Sequence, residues 1–111
     1  MVKHQSSSLD AVFAALGDPT RRAIAERLAG GAASVSELAE PFELTLPAIV
    51  KHLGVLEHAG LVEDWKEGRI RYCRLVPEQL DRAAAWIDQY TTFWRARFDG
   101  LHEFLRTEGD T

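Results

Sequence analysis

Four cations and a short apolar run carry the chemistry legible in this chain of 111 residues. Lys51, Lys66, Arg69 and Arg71 fall close together in the sequence, and side chains of this kind neutralise phosphates. Thr45, Leu46, Pro47 and Val50 surround Lys51. Apolar atoms there can meet thymine methyl groups, while Lys51 can reach a guanine edge or a phosphate. No nucleophile and base stand at a telling spacing, and there is no glycine-rich phosphate loop or metal-ligand set. An enzyme is therefore the least supported class, and no cofactor or metal is expected.

The distribution of charge supports a polyanion partner more than the total does. The formal net charge is −4, but residues 45–75 hold 5 basic and 4 acidic side chains, against 4 and 6 in residues 1–44 and 4 and 7 in residues 76–111. The positive balance coincides with the stretch that could meet phosphates. It is small, so modest and salt-sensitive affinity is expected.

Positioning these residues falls to the elements between Ser34 and Leu75. Ser34 with Glu37 has the spacing of a capping box at a helix start, with Leu38, Ala39 and Phe42 facing inward and Pro41 limiting the helix. A second helix, 46–59, follows with Thr45 as N-cap and Pro47 in the first turn. Its Ile49, Leu53 and Leu56 recur at i, i+4 and i+7 as a buried stripe. At about 100° per residue, Pro47, Val50, Lys51, Gly54 and His58 fall on the opposite side. Gly54 on that outer face fits either close approach to another backbone or drift at a solvent position. Gly60 ends the helix, with Leu61 as its hydrophobic partner.

Residues 61–75 then read as a hairpin with Lys66-Glu67-Gly68-Arg69 at its tip. Strand alternation groups Arg71, Cys73 and Leu75 on one face and Ile70, Tyr72 and Arg74 on the other. The order of helix, turn, helix and basic hairpin is that of a winged helix-turn-helix. The expected class is mainly α with a small β-hairpin, about five helices and a long C-terminal helix.

Several runs together resemble the ArsR family of bacterial repressors: Asp18-Pro19-Thr20-Arg21-Arg22, Ser36-Glu37-Leu38-Ala39, Pro47 to Leu53, Leu56 to Val62, and Glu67-Gly68-Arg69. The resemblance covers about Leu9 to Leu105. It implies a homodimeric regulator that binds operator DNA, often in its own promoter, with helix 46–59 in the major groove. Two departures stand out. Metal-sensing members carry a Cys pair before the recognition helix, or His and Asp ligands on the last helix. Here Val35 to Phe42 has no cysteine and the last helix holds only His102, which points to a metal-independent branch. Many relatives also have Gln and Ser where this chain has Leu46 and Val50, so discrimination would lean on DNA shape and on the wing. Glu43 occupies a turn position where glycine is frequent, and a positive φ there would strain it.

The remainder fits one domain, 9–107, preceded by a mobile tail, 1–8. No signal peptide or membrane span is legible, and one cysteine suits a cytoplasmic protein. A first short helix carries Leu9, Val12, Phe13 and Leu16, and Gly17 closes it. Asp18 and Pro19 open the next, which stops at Gly30-Gly31. Arg21 and Arg22 sit where the helix dipole disfavours cations, so they need a specific partner: phosphates, or a brace within the fold such as an acidic neighbour.

The last helix, 77–107, has Leu80, Ala83, Ala84, Ile87 and Tyr90 at mixed spacings of three and four, continued by Trp94, Phe98, Leu101 and Leu105. Trp86, Phe93 and Phe104 widen its apolar side beyond what one small core needs. Dimerisation is expected through Leu9, Val12 and Phe13 with Ile87, Tyr90, Trp94, Phe98 and Leu101. An inducer pocket lined by Trp86, Tyr90, Phe93 and Trp94 is the alternative use of the same aromatics, and the sequence identifies no inducer. His52 is expected as a packed, hydrogen-bonded residue, His58 and His102 as surface residues, and Cys73 as a small buried hydrophobe. The place of Trp65 is left open. The leading function is a homodimeric repressor, and the alternative is a winged-helix module that docks a protein through Leu46 and Val50.

Overall fold

A computed structural model describes the backbone of residues 2–109 and the side chains of residues 9–108. The elements run α1 (Val2–Leu16), α2 (Pro19–Ala29), β1 (Ala33–Ser34), α3 (Val35–Ala39), a 3-10 turn (Glu40–Phe42), α4 (Leu46–His58), β2 (Val62–Glu67), β3 (Ile70–Leu75) and α5 (Pro77–Gly109). A winged helix-turn-helix with a long final helix is the result.

Local chemistry explains most boundaries. Asp18 caps α2 by accepting the Arg21 backbone N–H at 3.0 Å. Ser34 Oγ accepts the Glu37 N–H at 3.1 Å, and Glu37 Oε1 accepts the Ser34 N–H at 2.9 Å, a complete capping box. Thr45 Oγ1 accepts the Ala48 N–H at 3.3 Å and starts α4. At the other end of α4, Gly60 at φ 75° donates to Glu57 O and Leu61 donates to Leu56 O, both at 2.9 Å. This is a Schellman closure, and it turns the chain directly into β2.

Four features differ in detail from the expectations. Residues 2–8, expected as a tail, continue α1 as helix, and Met1 lies outside the described residues. Nothing in 2–8 is Pro or Gly, and extending an existing helix fixes one residue per hydrogen bond gained. The last helix ends at Gly109 rather than 107. The hairpin gains a third strand, because β1 pairs antiparallel with β3 in the order β1-β3-β2. Two residues are too few to show a period, so only the pairing of Ala33 with Cys73 and of Ser34 with Tyr72 defines that strand. Finally, Val12, expected at the dimer interface, is fully buried inside its own protomer, alongside Ala15. Among the large apolar residues described on α1, Phe13 is the exposed one.

The core sits where α1, α2, α3 and the sheet meet the inner side of α4. Ile24, Leu38, Ile49, Leu53, Leu56 and Leu61 are fully buried there. Each such side chain stabilises the fold by about 1.5–3 kcal/mol relative to exposure, before entropy is counted. This anchoring holds α4 rigidly with its other side in solvent.

Candidate nucleic-acid interface

The outer side of α4 carries the residues that the helical spacing assigns to it. Pro47, Val50, Lys51, Gly54 and His58 are all exposed. Leu46 keeps 50% of its surface accessible and Val50 40%, values unlike those of the buried stripe on the same helix. A Cβ placed on Gly54 would meet nothing within 4 Å, so no contact inside the protomer explains that glycine. The turn ahead of α4 contains Glu43 at φ 54°, ψ 31°. A left-handed non-glycine residue of this kind costs on the order of 1 kcal/mol, and here it sets the angle between α3 and α4.

The wing is a tight hairpin. Its strands pair from Val62–Leu75 to Glu67–Ile70, leaving Gly68 and Arg69 as a two-residue turn. Gly68 takes φ 64° at the first turn position, which suits a type II′ hairpin. Trp65 is partly exposed on the strand surface, stacked on Tyr72 at 5.7 Å, with its indole N–H donating to Glu67. Among the described residues, Lys51, Lys66 and Arg69 are exposed and form no ion pair.

Arg71 and Arg74 are occupied differently. Arg74 pairs with Glu63 across the strands. Arg71 pairs with Asp64 and also donates to both carboxylate oxygens of Glu57 on α4, at 3.2 and 3.3 Å. Partial burial raises the Glu57 carboxyl above its ordinary 4.5, and the neighbouring Asp64 charge adds to the rise. Burial also pulls Asp64 upward, but hydrogen bonds from Glu57 and Arg71 outweigh it and leave that group below its ordinary value. Arg71 therefore ties the wing to the C-terminal turn of α4. The strand alternation already carried the signal, because it put Arg71 on the inner face with Cys73. Glu57 and Asp64 had no distinguishing pattern of their own.

The second Arg pair also has an internal role. Arg21 donates to Ala15 O at 2.8 Å and Ala14 O at 3.3 Å, and Arg22 donates to Leu16 O at 2.7 Å. The expected brace exists, and its partners are backbone carbonyls of the last turn of α1 rather than an acidic neighbour. Cations at a helix C-terminus also complement its dipole. His52 sits 3.4 Å from Arg21 and 4.0 Å from Asp18, linking α4 to this junction. Cys73 is fully buried, and burial pushes its thiol up to about 11, which suppresses thiolate chemistry.

No three His, Cys, Asp or Glu side chains among the described residues converge as a metal site. No helix among them is long and apolar enough to cross a membrane. Phe13 of α1 and Trp86 of α5 meet edge-on at 5.6 Å, and Trp86 and Tyr90 lie 4.5 Å apart. Ile87, Tyr90, Trp94, Phe98 and Leu101 are exposed in the protomer, Phe98 at 64%. Leu9 is half-buried against the core.

Comparison with known proteins agrees with this arrangement. Residues 16–64 match a family described as a helix-turn-helix domain. An HTH-type transcriptional regulator of Mycobacterium tuberculosis is 40% identical over 93% of this chain and 94% of its own length. The crystal structure of an ArsR family transcriptional regulator is 41% identical, covers 81% of this chain and 93% of that one, and superposes with a TM-score of 0.75. The solution structure of a homodimeric winged helix-turn-helix DNA-binding domain from Mycobacterium bovis is 27% identical, covers 79% of this chain and 82% of that one, and has a TM-score of 0.65. The chain belongs to the ArsR family of winged helix-turn-helix transcriptional regulators, DNA-binding proteins rather than enzymes.

Proposed function

We propose that two copies of this chain, paired through α1 and α5, bind an operator in the cytoplasm and repress transcription, with the protein's own promoter among the targets. One observation carries the reading. The exposed outer side of α4 is backed by a fully buried inner side and flanked by a wing whose Lys66 and Arg69 form no ion pair among the described residues. A helix held this way can enter a major groove without rearranging its core. Leu46, Pro47 and Val50 then touch thymine methyls, Thr45 approaches a phosphate from the helix start, and Lys51 reaches a guanine edge or a phosphate. Lys66 and Arg69 contact the backbone or the minor groove. Arg71, first grouped with these contacts, is assigned to holding the wing against α4. Switching proceeds without a bound metal in this reading.

Footprinting of promoter fragments with the purified protein tests it. Two protected half-sites about 10 base pairs apart, centre to centre, are expected for paired recognition helices. Loss of the protein should raise transcription from the protected promoter. The half-exposed Leu46 and Val50 favour a second reading, in which the same face docks a protein. Absence of any protection at low salt, together with a stable heteromeric complex lost in Val50→Glu, would select that one.

A further inference from the structure

Glycine is a costly residue inside a helix, less favourable than alanine by about fourfold to fivefold in the folding equilibrium. Most glycines of this chain have a reason in the fold. Gly31, Gly60 and Gly68 take positive φ, while Gly17 and Gly30 close helices. Gly54 has neither reason. It lies inside α4 on right-handed backbone, and a Cβ there would meet nothing within 4 Å.

The space over Gly54 is bordered by the side chains three and four positions away, Val50, Lys51, Glu57 and His58. Lys51 and His58 are exposed and form no ion pair among the described residues. Glu57, the acid of the four, is turned to Arg71, which donates to both of its carboxylate oxygens at 3.2 and 3.3 Å. Bare helix backbone therefore lies between two available donors, and the negative charge beside it is already compensated. Gly100 on α5 is equally open, but Arg97 and Glu103 beside it balance in charge, so bareness there selects no anion.

We propose that Gly54, Lys51 and His58 form a seat for one phosphate of the DNA backbone. The proposal rests on the groove reading above and deepens it, because it commits Lys51 to the phosphate and not to a guanine edge. A phosphate oxygen can approach the Gly54 Cα to about 3.3–3.6 Å, the range of a Cα–H···O contact. Lys51 reaches in from about 4.5 Å nearer the helix start and His58 from about 6 Å beyond. The imidazole keeps an N–H donor in either charge state. Contacts of this kind fix the register of a helix on the duplex and carry no base information. Leu46, Pro47 and Val50 then read bases at a depth that the seat sets. A Cβ at position 54 would take the place of the phosphate oxygen and lift the helix off the strand, withdrawing those apolar side chains from their thymine methyls.

Ethylation interference on operator fragments tests the seat, with wild-type, Lys51→Ala, Gly54→Ala and His58→Ala proteins. Ethylating the seated phosphate should weaken wild-type binding at least tenfold, at one position in each half-site. That position should fall silent in all three variants while interference elsewhere persists. Gly54→Ala should also weaken operator binding at least tenfold and yet raise the melting temperature by about 2–5 °C. A defect in the fold would lower both. Unchanged affinity of Gly54→Ala would make the glycine an ordinary solvent position and overturn the proposal. Silencing of a different phosphate by each variant would overturn it as well, since no common seat would exist. Wild-type protein that protects no promoter fragment at low salt would remove the groove reading itself, and the seat with it.

Discussion

Two surfaces of the protomer are left open, and they lack opposite things. The outer side of α4 and the wing present Lys51, Lys66 and Arg69, which form no ion pair among the described residues. The long face of α5 presents Trp94, Phe98 and Leu101 with no apolar cover. The first surface fits a polyanion and weakens with added salt, because counterions compete for it. The second fits a copy of itself and responds little to salt, because burial of apolar area drives it. In the proposed function one chain thus separates holding on to its twin from holding on to DNA, and each can be damaged alone.

The largest expected effect lies on the apolar side. Trp94→Glu with Leu101→Glu would place two charges in a desolvated seam, each costing several kcal/mol. The dimer constant should weaken by at least about 1,000-fold in sedimentation equilibrium. Far-UV dichroism should still show a folded winged helix, since neither residue belongs to the protomer core. A dimer of unchanged strength would mean that this face does not join the copies.

Within α4 the contrast between inner and outer sides can be sharpened by two truncations. Leu53→Ala should lower unfolding stability by about 2–5 kcal/mol in urea titration, while Val50→Ala should stay within about 0.5 kcal/mol. Equal losses would contradict the outward aspect of Val50. On the DNA side, Lys51→Ala with Arg69→Ala should weaken operator binding by about 10–100-fold. It should also reduce the salt slope by about 0.9 for each lost phosphate contact. The dimer constant should not move.

Arg71→Ala separates bracing from phosphate contact. Removing the guanidinium leaves Glu57 and Asp64 close together without a cation, and stability should fall by about 1–2 kcal/mol at neutral pH. The salt slope of DNA binding should hold; a drop like that of Lys51→Ala would return Arg71 to the phosphate contacts. The smallest effect concerns the caps. The Arg21 backbone N–H, aided by the Arg21 and His52 charges, holds the Asp18 carboxyl below its ordinary 3.8. Hydrogen bonds from Ser34, backbone first, hold Glu37 below 4.5. Depressed carboxylate values mean that the stabilisation is full above those ordinary values and is lost as pH falls below them. Asp18→Asn with Glu37→Gln should therefore flatten the acid limb of a thermal-melting profile below about pH 4.5, by lowering its neutral plateau toward the acid values.

The residue order alone determined what is decided over three or four positions. The caps at Asp18, Ser34 and Thr45, the closure at Gly60, the buried stripe of α4 and the glycine of the wing tip all rest on bonds between near neighbours in the chain. Their geometry follows from residue type and spacing, so the helix-turn-helix and its wing were readable before any coordinates. Tertiary structure decided what depends on a partner far away in sequence. β1 exists only because β3 lies beside it. Val12 turned inward and Phe13 outward because α5 crosses α1 at Trp86. Arg21 and Arg22 found the carbonyls ending α1, and Arg71 found Glu57 on another element. Spacing reports which side of an element a residue occupies, and only the packed chain settles what that side meets.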